Sequence, residues 1–440
     1  MLSVAKFGGS SLSNGEQFAK VKQIIQADPN RKVIVVSAPG KRFTEDNKIT
    51  DLLYLCEAHL KYGVSYERVF EIIEQRFMDI RAYCHLNFDL DHEFETIRQK
   101  MNKDISVDYL VSRGEYLNAQ LLAEYLGYTF VDAQDWLMFE YDGKVNYQAS
   151  EKRLKAIYEV QPNIVTPGFY GCNPKGLVKV FTRGGSDITG AIASSLLDAD
   201  VCENWTDVSG ILMADPRIVT DPKTINRATY AELRELSYMG ADVLHEEAVY
   251  PLRAKNIPLN IRNTDCPDAN GTIIRETFSD ENDEEHSRFI TGISGKKGFS
   301  IINIRIRNSV NKVSMIRQVL EICEKYSIDV EQIASSVDSF SLIINSKLLE
   351  DNRYLVIAAI NEQCDPKNLT ITDEISLIAV VGRQMAYRPG ISGKVFATLG
   401  KNKINIRTIE QSVDEINIMI GVYDNDFEKA IRLLYDSFAQ

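Results

Sequence analysis

Six residues near the start of the chain, Lys6-Phe7-Gly8-Gly9-Ser10-Ser11, set a mobile cation beside two glycines and two hydroxyls, directly after an apolar run. Glycines let a backbone approach an anion closely, and N–H groups at a helix start point toward it, so phosphate is one chemistry this stretch could serve. A plain strand-to-helix turn, with glycines supplying φ > 0 and a serine as cap, explains the same residues. The lysine precedes the glycines, so this is not the Walker A arrangement. A second stretch, Thr182-Arg183-Gly184-Gly185-Ser186-Asp187, repeats the pattern. It follows a predicted strand over 177–181 and opens a predicted helix near Asp187, with Ser186 as its cap. Parallel sheets gather ligands at the carboxyl ends of their strands. Two such turns, one with Lys6 and the other with Arg183 and Asp187, therefore suggest a phosphate channel edged by polar groups.

The elements that must position these turns alternate. Val33-Ile34-Val35-Val36 reads as a buried parallel strand, and residues 15–27 before it show helical spacing. Thr50 is a good cap for a helix over 51–60, and residues 65–126 read as mostly helical. Further short apolar runs lie near 164–165, 201–205 and 257–261. This is the order of an α/β domain with a largely parallel sheet. The character changes at 276–288, a strongly acidic stretch that reads as a solvated linker. A weak internal repeat follows. The first copy has strands at 299–306, 329–334 and 340–345, with helices at 312–326 and 350–363. The second has strands at 376–381, 404–410 and 415–422, with helices at 391–401 and 426–438. Each copy is β-α-β-β-α with room for a fourth strand, a ferredoxin-like pattern. The short strand 289–293 stands outside the first copy and could complete the sheet of the second, which would interleave the two.

Composition excludes several classes. The 440 residues are enough for two to four domains with ample core. The net charge of −12 argues against general nucleic-acid binding. No apolar run approaches the ~20 residues that span a bilayer, and no signal peptide opens the chain. The seven cysteines form no C-x-x-C pair and fit reduced thiols in the cytosol. The five histidines form no H-x-x-x-H pattern, so no metal site is expected.

On these motifs, with Ser112-Arg113-Gly114-Glu115 and Trp205-Thr206-Asp207-Val208-Ser209-Gly210-Ile211 running to Asp215-Pro216-Arg217, the chain resembles the aspartokinases over essentially its whole length. The resemblance implies a catalytic domain of the amino-acid-kinase fold over 1–275, a linker at 276–288, and two ACT modules at 289–372 and 373–440. It implies ATP with Mg²⁺ as cofactor and L-aspartate as substrate, giving 4-phospho-L-aspartate on the way to lysine, threonine and methionine. Lys6 and Asp187 take catalytic positions, the carboxylate orienting the lysine. Ser37, Thr50, Glu115, Phe169, Arg183 and Ser186 fall in the aspartate pocket, with Glu115 on the ammonium and Arg183 on a carboxylate. Lys6, Gly8, Gly9, Ser10, Gly184, Gly185, Thr206, Asp207 and Arg217 match nucleotide-binding positions. Pro389, Gly390, Asn405 and Ile406 resemble the ligand loop and strand of an ACT module, which implies a homodimer or higher oligomer regulated by lysine, threonine or both. No homoserine dehydrogenase domain is expected after Gln440. Without the resemblance, Glu115 reads as a solvated helix charge, Arg183 as a surface cation, Phe169 as core and Thr50 as a cap.

Some residues depart from the family pattern. Asp242 replaces a lysine, Leu212 an aromatic residue, and Ser314-Met315 a glycine-containing loop, while Glu331 stands where an aspartate is frequent. The loop over 41–48 looks longer than in many relatives. Two other functions compete: an enzyme of the same fold acting on glutamate, acetylglutamate, carbamate or UMP, and a catalytically weak amino-acid sensor built on the ACT pair.

Overall fold

The computed structural model describes every residue except Arg183, 241–245, 279–289, 308–311, 384, 386–387, 412–413, 415 and 440, and the side chains of 246–247. The acidic linker thus lies largely outside the described residues, as do Arg183 and Asp242. The chain divides into two compact units. One comprises Met1–Ile211, Thr224–Leu233 and Val243–Ser279; the other comprises Leu212–Lys223, Arg234–Asp242 and Asp280–Gln440.

In the first unit the short β-branched runs pair as an eight-stranded sheet. Its order is Arg227–Thr229, Thr272–Arg275, Leu259–Asn263, Val201–Thr206, Ser3–Phe7, Arg31–Val36, Ile164–Pro167, Thr129–Phe130. Every pairing is parallel except that of Leu259–Asn263 with Thr272–Arg275. Both faces are covered, so the central strands are mainly apolar, as in other parallel sheets, with Lys6, Glu203 and Asn204 as polar exceptions. Ala5, Phe7, Ile34 and Val36 pack with Phe18, Ile25, Leu53 and Leu121 from helices on one face. Val4, Val33, Val35 and Ile164 pack with Ile188, Ile192 and Leu196 on the other. Each of these fully buried aliphatic side chains contributes roughly 1.5–3 kcal/mol. The period-2 alternation puts Lys6 on the second face, under the helix Gly185–Leu196.

Three local expectations are corrected. The strand before the second glycine turn is Val178–Val180, and it belongs to a separate antiparallel pair with Tyr170–Cys172, not to the main sheet. The helix after that turn starts at Gly185 with Gly184 as N-cap, at φ 58°, so Ser186 lies inside the first turn and is not the cap. Thr50 is not a cap either. The helix is Ile49–Tyr62, Lys48 precedes it, and the Ile49 N–H is satisfied by the Pro39 carbonyl at 3.1 Å. The loop backbone supplies what a hydroxyl would have supplied.

The second unit holds a six-stranded antiparallel sheet in the order Val330–Ser335, Ser339–Asn345, Gly292–Arg305, Asn368–Val381, Asn417–Tyr423, Thr408–Gln411. Two of its strands are 14 residues long and serve both repeat copies. Gly292–Lys296 pairs with Leu377–Val381 of the second copy, while Ile301–Arg305 pairs with Asn368–Thr372. The copies are interleaved, each lending a strand segment to the other. The predicted strand over 404–410 is shorter than expected, beginning only at Thr408.

Candidate active site

Lys6 sits one residue before the end of its strand and is almost wholly buried. Its ammonium meets Asp187 Oδ1 at 2.6 Å. It also donates to Asn204 Oδ1 at 3.2 Å, while Asn204 Nδ2 donates to the same Asp187 oxygen at 3.1 Å. Parallel register fixes this triangle, because Lys6 lies directly across from Asn204 on Val201–Thr206. The wall around it is apolar, formed by Ala191, Cys202, Ala248, Leu252 and Leu259.

Beyond Lys6 the chain turns tightly. The Gly8 N–H donates to the Trp205 carbonyl at 2.9 Å, and the Gly9 carbonyl accepts from Gly40 N–H at 2.7 Å. A Cβ on Gly9 would lie 2.8 Å from the Ala38 carbonyl oxygen, and one on Gly40 only 2.5 Å from the Gly9 carbonyl carbon. Close approach, not positive φ, therefore requires glycine here. The turn leads into a short 3₁₀ segment, Ser10–Leu12, and the α-helix starts only at Gly15 behind Asn14, whose side chain caps Gln17 N–H. The expectation that this turn opens a helix directly is thus not met. The second turn does open one. There the close contacts run to Gly168-Phe169: a Cβ on Gly185 would lie 2.5 Å from the Phe169 ring, and one on Gly168 would lie 2.7 Å from Ser186 Cβ. Phe169 adopts φ 76°, and its N–H donates to Thr189 Oγ1 at 3.1 Å.

Glu115 is not a solvated helix charge. It lies on the helix Val107–Leu126, is buried, and its Oε2 has no hydrogen-bond partner. Burial pushes its carboxyl up to about 8, opposed by backbone N–H groups including that of Ala38 and by the charge of Arg113. One turn on, Asn118 Nδ2 donates to the Ser37 carbonyl at 2.7 Å. The helix thus addresses two consecutive residues, Ser37 and Ala38, at the end of the strand Arg31–Val36. Gly114 permits this, since a Cβ there would come 2.8 Å from Ala38 Cβ. Thr50 is half-buried in the first turn of its helix, and Ser10 is half-buried beside Gly9.

Thr206 Oγ1 donates to Asp207 Oδ1 at 3.1 Å at the exposed end of its strand. Arg217 belongs to the second unit, where its exposed guanidinium grips Asp215 at 2.6 Å. In that unit Gly390 caps the helix Ile391–Lys401 at φ 98°, next to an exposed Pro389. Asn405 is exposed and Ile406 half-buried, ahead of the strand rather than in it.

Three features escaped sequence reasoning. Asn204 is one; two successive polar residues, Glu203-Asn204, inside a central strand were the available signal. On the opposite sheet face Glu203 is gripped by Arg31 at 2.6 and 3.0 Å and by the Trp205 indole N–H at 2.9 Å, and Trp205 stacks on Phe7. The third is Arg76, fully buried, which binds both Asp46 oxygens at 2.9 and 2.7 Å and the Gly40 carbonyl at 2.9 Å. That clamp fastens the long loop 41–48 against the first glycine turn, and the Arg42 hydrogen bond holds the Asp46 carboxyl well below the usual range.

Comparison with known proteins gives a consistent picture. Residues 1–263 match the amino acid kinase family and residues 378–438 match an ACT domain. Aspartokinase 3 of Bacillus subtilis (strain 168) is 33% identical, covering 99% of this chain and 98% of its own. The crystal structure of Clostridium acetobutylicum aspartate kinase, described as an allosteric enzyme, superposes with a TM-score of 0.94 at 46% identity, covering 99% of this chain and all of that one. E. coli aspartokinase III has been solved with aspartate and ADP (TM-score 0.74) and with lysine and aspartate (0.76). It is 23% identical over the full length of both chains, a likeness of fold.

Proposed function

The chain belongs to the aspartokinases of the amino acid kinase family, and from that premise we propose that it transfers the γ-phosphoryl group of ATP to the side-chain carboxylate of L-aspartate. The products are 4-phospho-L-aspartate and ADP, the entry step to lysine, threonine and methionine synthesis. The observation that carries the reading is Glu115: a carboxyl taken fully out of water, with an oxygen lacking any partner, calls for a cationic ligand such as an α-ammonium group.

The reaction needs no general base, because a free aspartate carboxylate, with a reference pKa of about 3.9, is already ionised at neutral pH. The difficulty is bringing two anions together and stabilising a loose transition state, which positioning and fixed positive charge achieve. Lys6 supplies that charge to the phosphoryl group, and Asp187 orients it. Backbone N–H groups of Gly9, Ser10, Gly184 and Gly185 hold phosphate oxygens, while Gly8, whose N–H is taken by the Trp205 carbonyl, leaves room for the phosphate chain beside Lys6. Glu115 takes the substrate ammonium, and Arg183 forks a substrate carboxylate. Ser37, Thr50, Phe169 and Ser186 shape the pocket, and Thr206 and Asp207 serve the nucleotide. Mg²⁺ arrives with ATP and neutralises its phosphate oxygens; no group of three His, Cys, Asp or Glu side chains gathers around a cation site among the described residues.

We assign catalysis to 1–275, a linker to 276–288 and regulation to the interleaved modules at 289–372 and 373–440. Pro389, Gly390, Asn405 and Ile406 contribute to an effector site for lysine, threonine or both, in a cytosolic homodimer or higher oligomer. No helix among the described residues is long and apolar enough to cross a membrane.

The test is ADP release from Mg-ATP with L-aspartate, trapping acyl phosphate with hydroxylamine, and L-glutamate in parallel. Aspartate-dependent hydroxamate is expected. ADP formed with another acceptor would move the substrate within the fold. Tight amino-acid binding without turnover would make the chain a sensor.

A further inference from the structure

Given phosphoryl transfer at this site, we propose that Asn204 is the positioning residue that locks Lys6 and Asp187 into one unit and aims the lysine ammonium at the phosphoryl group.

Asn204 occupies a central strand, buried, in a wall that is otherwise apolar. Packing alone would favour an aliphatic side chain there, since a buried amide is costly unless both its ends are bonded. Both ends are bonded, with opposite polarity. The oxygen accepts from the Lys6 ammonium and the nitrogen donates to the Asp187 carboxylate. An amide carries its acceptor and its donor on separate atoms, so it can serve both charges at once. A carboxylate would repel Asp187, and a leucine would do neither.

The consequence for Lys6 follows from donor counting. An ammonium has three N–H groups. Asp187 takes one and Asn204 a second, so one remains for an incoming oxygen. Gly8 keeps the near side open: a Cβ there would stand in van der Waals contact with the lysine nitrogen, at 3.6 Å. With Asn204 removed, the ammonium is free to swing toward Asp187 alone. The same amide holds Asp187 by its Oδ1, the atom that Lys6 uses, so it fixes the carboxylate rotamer as well.

The decisive experiment is a double-mutant cycle with Asn204→Leu and Asp187→Asn in the full-length enzyme. It reads kcat and the aspartate KM in the hydroxamate assay, and aspartate binding by calorimetry. Asn204→Leu is expected to lower kcat by about 10- to 100-fold, the scale of a misaimed reacting group, with aspartate affinity unchanged within about threefold. The double variant should lose little beyond the worse single variant, since residues acting as one unit are strongly non-additive. A kcat for Asn204→Leu within about twofold of the parent, or multiplicative losses in the double variant, would overturn the assignment. So would a parallel fall in kcat, affinity and thermal midpoint, which marks a structural residue. The parent enzyme in the same assay tests the reaction itself. If it yields no hydroxamate, that reading falls, and the cycle read by thermal unfolding still decides the bridge: coupled midpoints support it and additive midpoints reject it.

Discussion

Glu115 links chemistry, pH and stability in one side chain. Its carboxyl titrates near 8 in the fold against an ordinary value of 4.5. It is therefore protonated in the free protein at pH 6–7, and the proposed role requires it to lose that proton on receiving the substrate ammonium. The expected outcome is that kcat/KM for aspartate rises about tenfold per pH unit below about pH 8 and levels off above it; a flat profile would remove Glu115 from the ammonium site. The stability linkage runs the other way. A raised carboxyl contributes fully below pH 4.5, and that contribution is lost as pH climbs toward 8, because the unfolded chain ionises first. Glu115→Gln is thus expected to raise the unfolding midpoint at pH 8–9 and leave it nearly unchanged at pH 5. It should also weaken aspartate binding about 10- to 100-fold, the loss of one charge-assisted hydrogen bond. Lys6→Met should abolish turnover with aspartate binding nearly intact, and Arg183→Ala should mainly raise the aspartate KM. The residue types of Lys6, Asp187 and Glu115 were readable from motifs. The burial of Glu115 was not, because a carboxylate on a helix is solvated by default and only the packing of Gly114 against Ala38 shows otherwise.

At the scale of elements, two short connections carry the precision of the site. Gly9 and Gly40 touch backbone to backbone, and Arg76 fastens the following loop through Asp46. Gly40→Ala is expected to cost about 1–3 kcal/mol by overpacking and to raise the KM for ATP more than that for aspartate; equal effects on both would separate this turn from the phosphates. Arg76→Met should cost about 1–3 kcal/mol, measured by denaturant unfolding, because Asp46 keeps Arg42 but loses its buried partner and the Gly40 carbonyl loses its donor. The strands and helices of the first unit were largely legible, since Val33–Val36 and the helical spacing over 15–27 are unambiguous local patterns. Cap positions were not. Thr50 and Ser186 have the right chemistry for N-caps, but the Pro39 carbonyl satisfies the first N–H of one helix and the left-handed Gly184 takes the cap position of the other. The Arg76 clamp was invisible because it joins residues 30 positions apart.

For the whole molecule, the regulatory reading predicts that lysine, threonine or their mixture lowers aspartate-dependent turnover, and that light scattering finds a dimer or larger species. Kinetics indifferent to lysine, threonine and methionine, singly and mixed, would reject it. The repeat copies were visible as a pattern, and the strand standing outside the first copy already hinted at exchange. Its extent was not visible, because Thr372-Asp373-Glu374 interrupts the alternation begun by Leu369 and Ile371, so the two halves of the long strand Asn368–Val381 read as separate segments.

That exchange has a consequence for how the polypeptide is made. When Arg305 leaves the ribosome, the strand it closes lacks both of its future neighbours, at 339–345 and 368–381. The sheet cannot be finished copy by copy. It waits for Tyr423, roughly 6–24 s later at about 5–20 residues per second. Until Val381 emerges, roughly 4–15 s after Arg305 at the same rate, this 14-residue strand keeps at least one unsatisfied edge in the nascent chain. The burden of chaperoning therefore falls on the last third of synthesis, and a slowed codon there would lengthen the exposure of this strand.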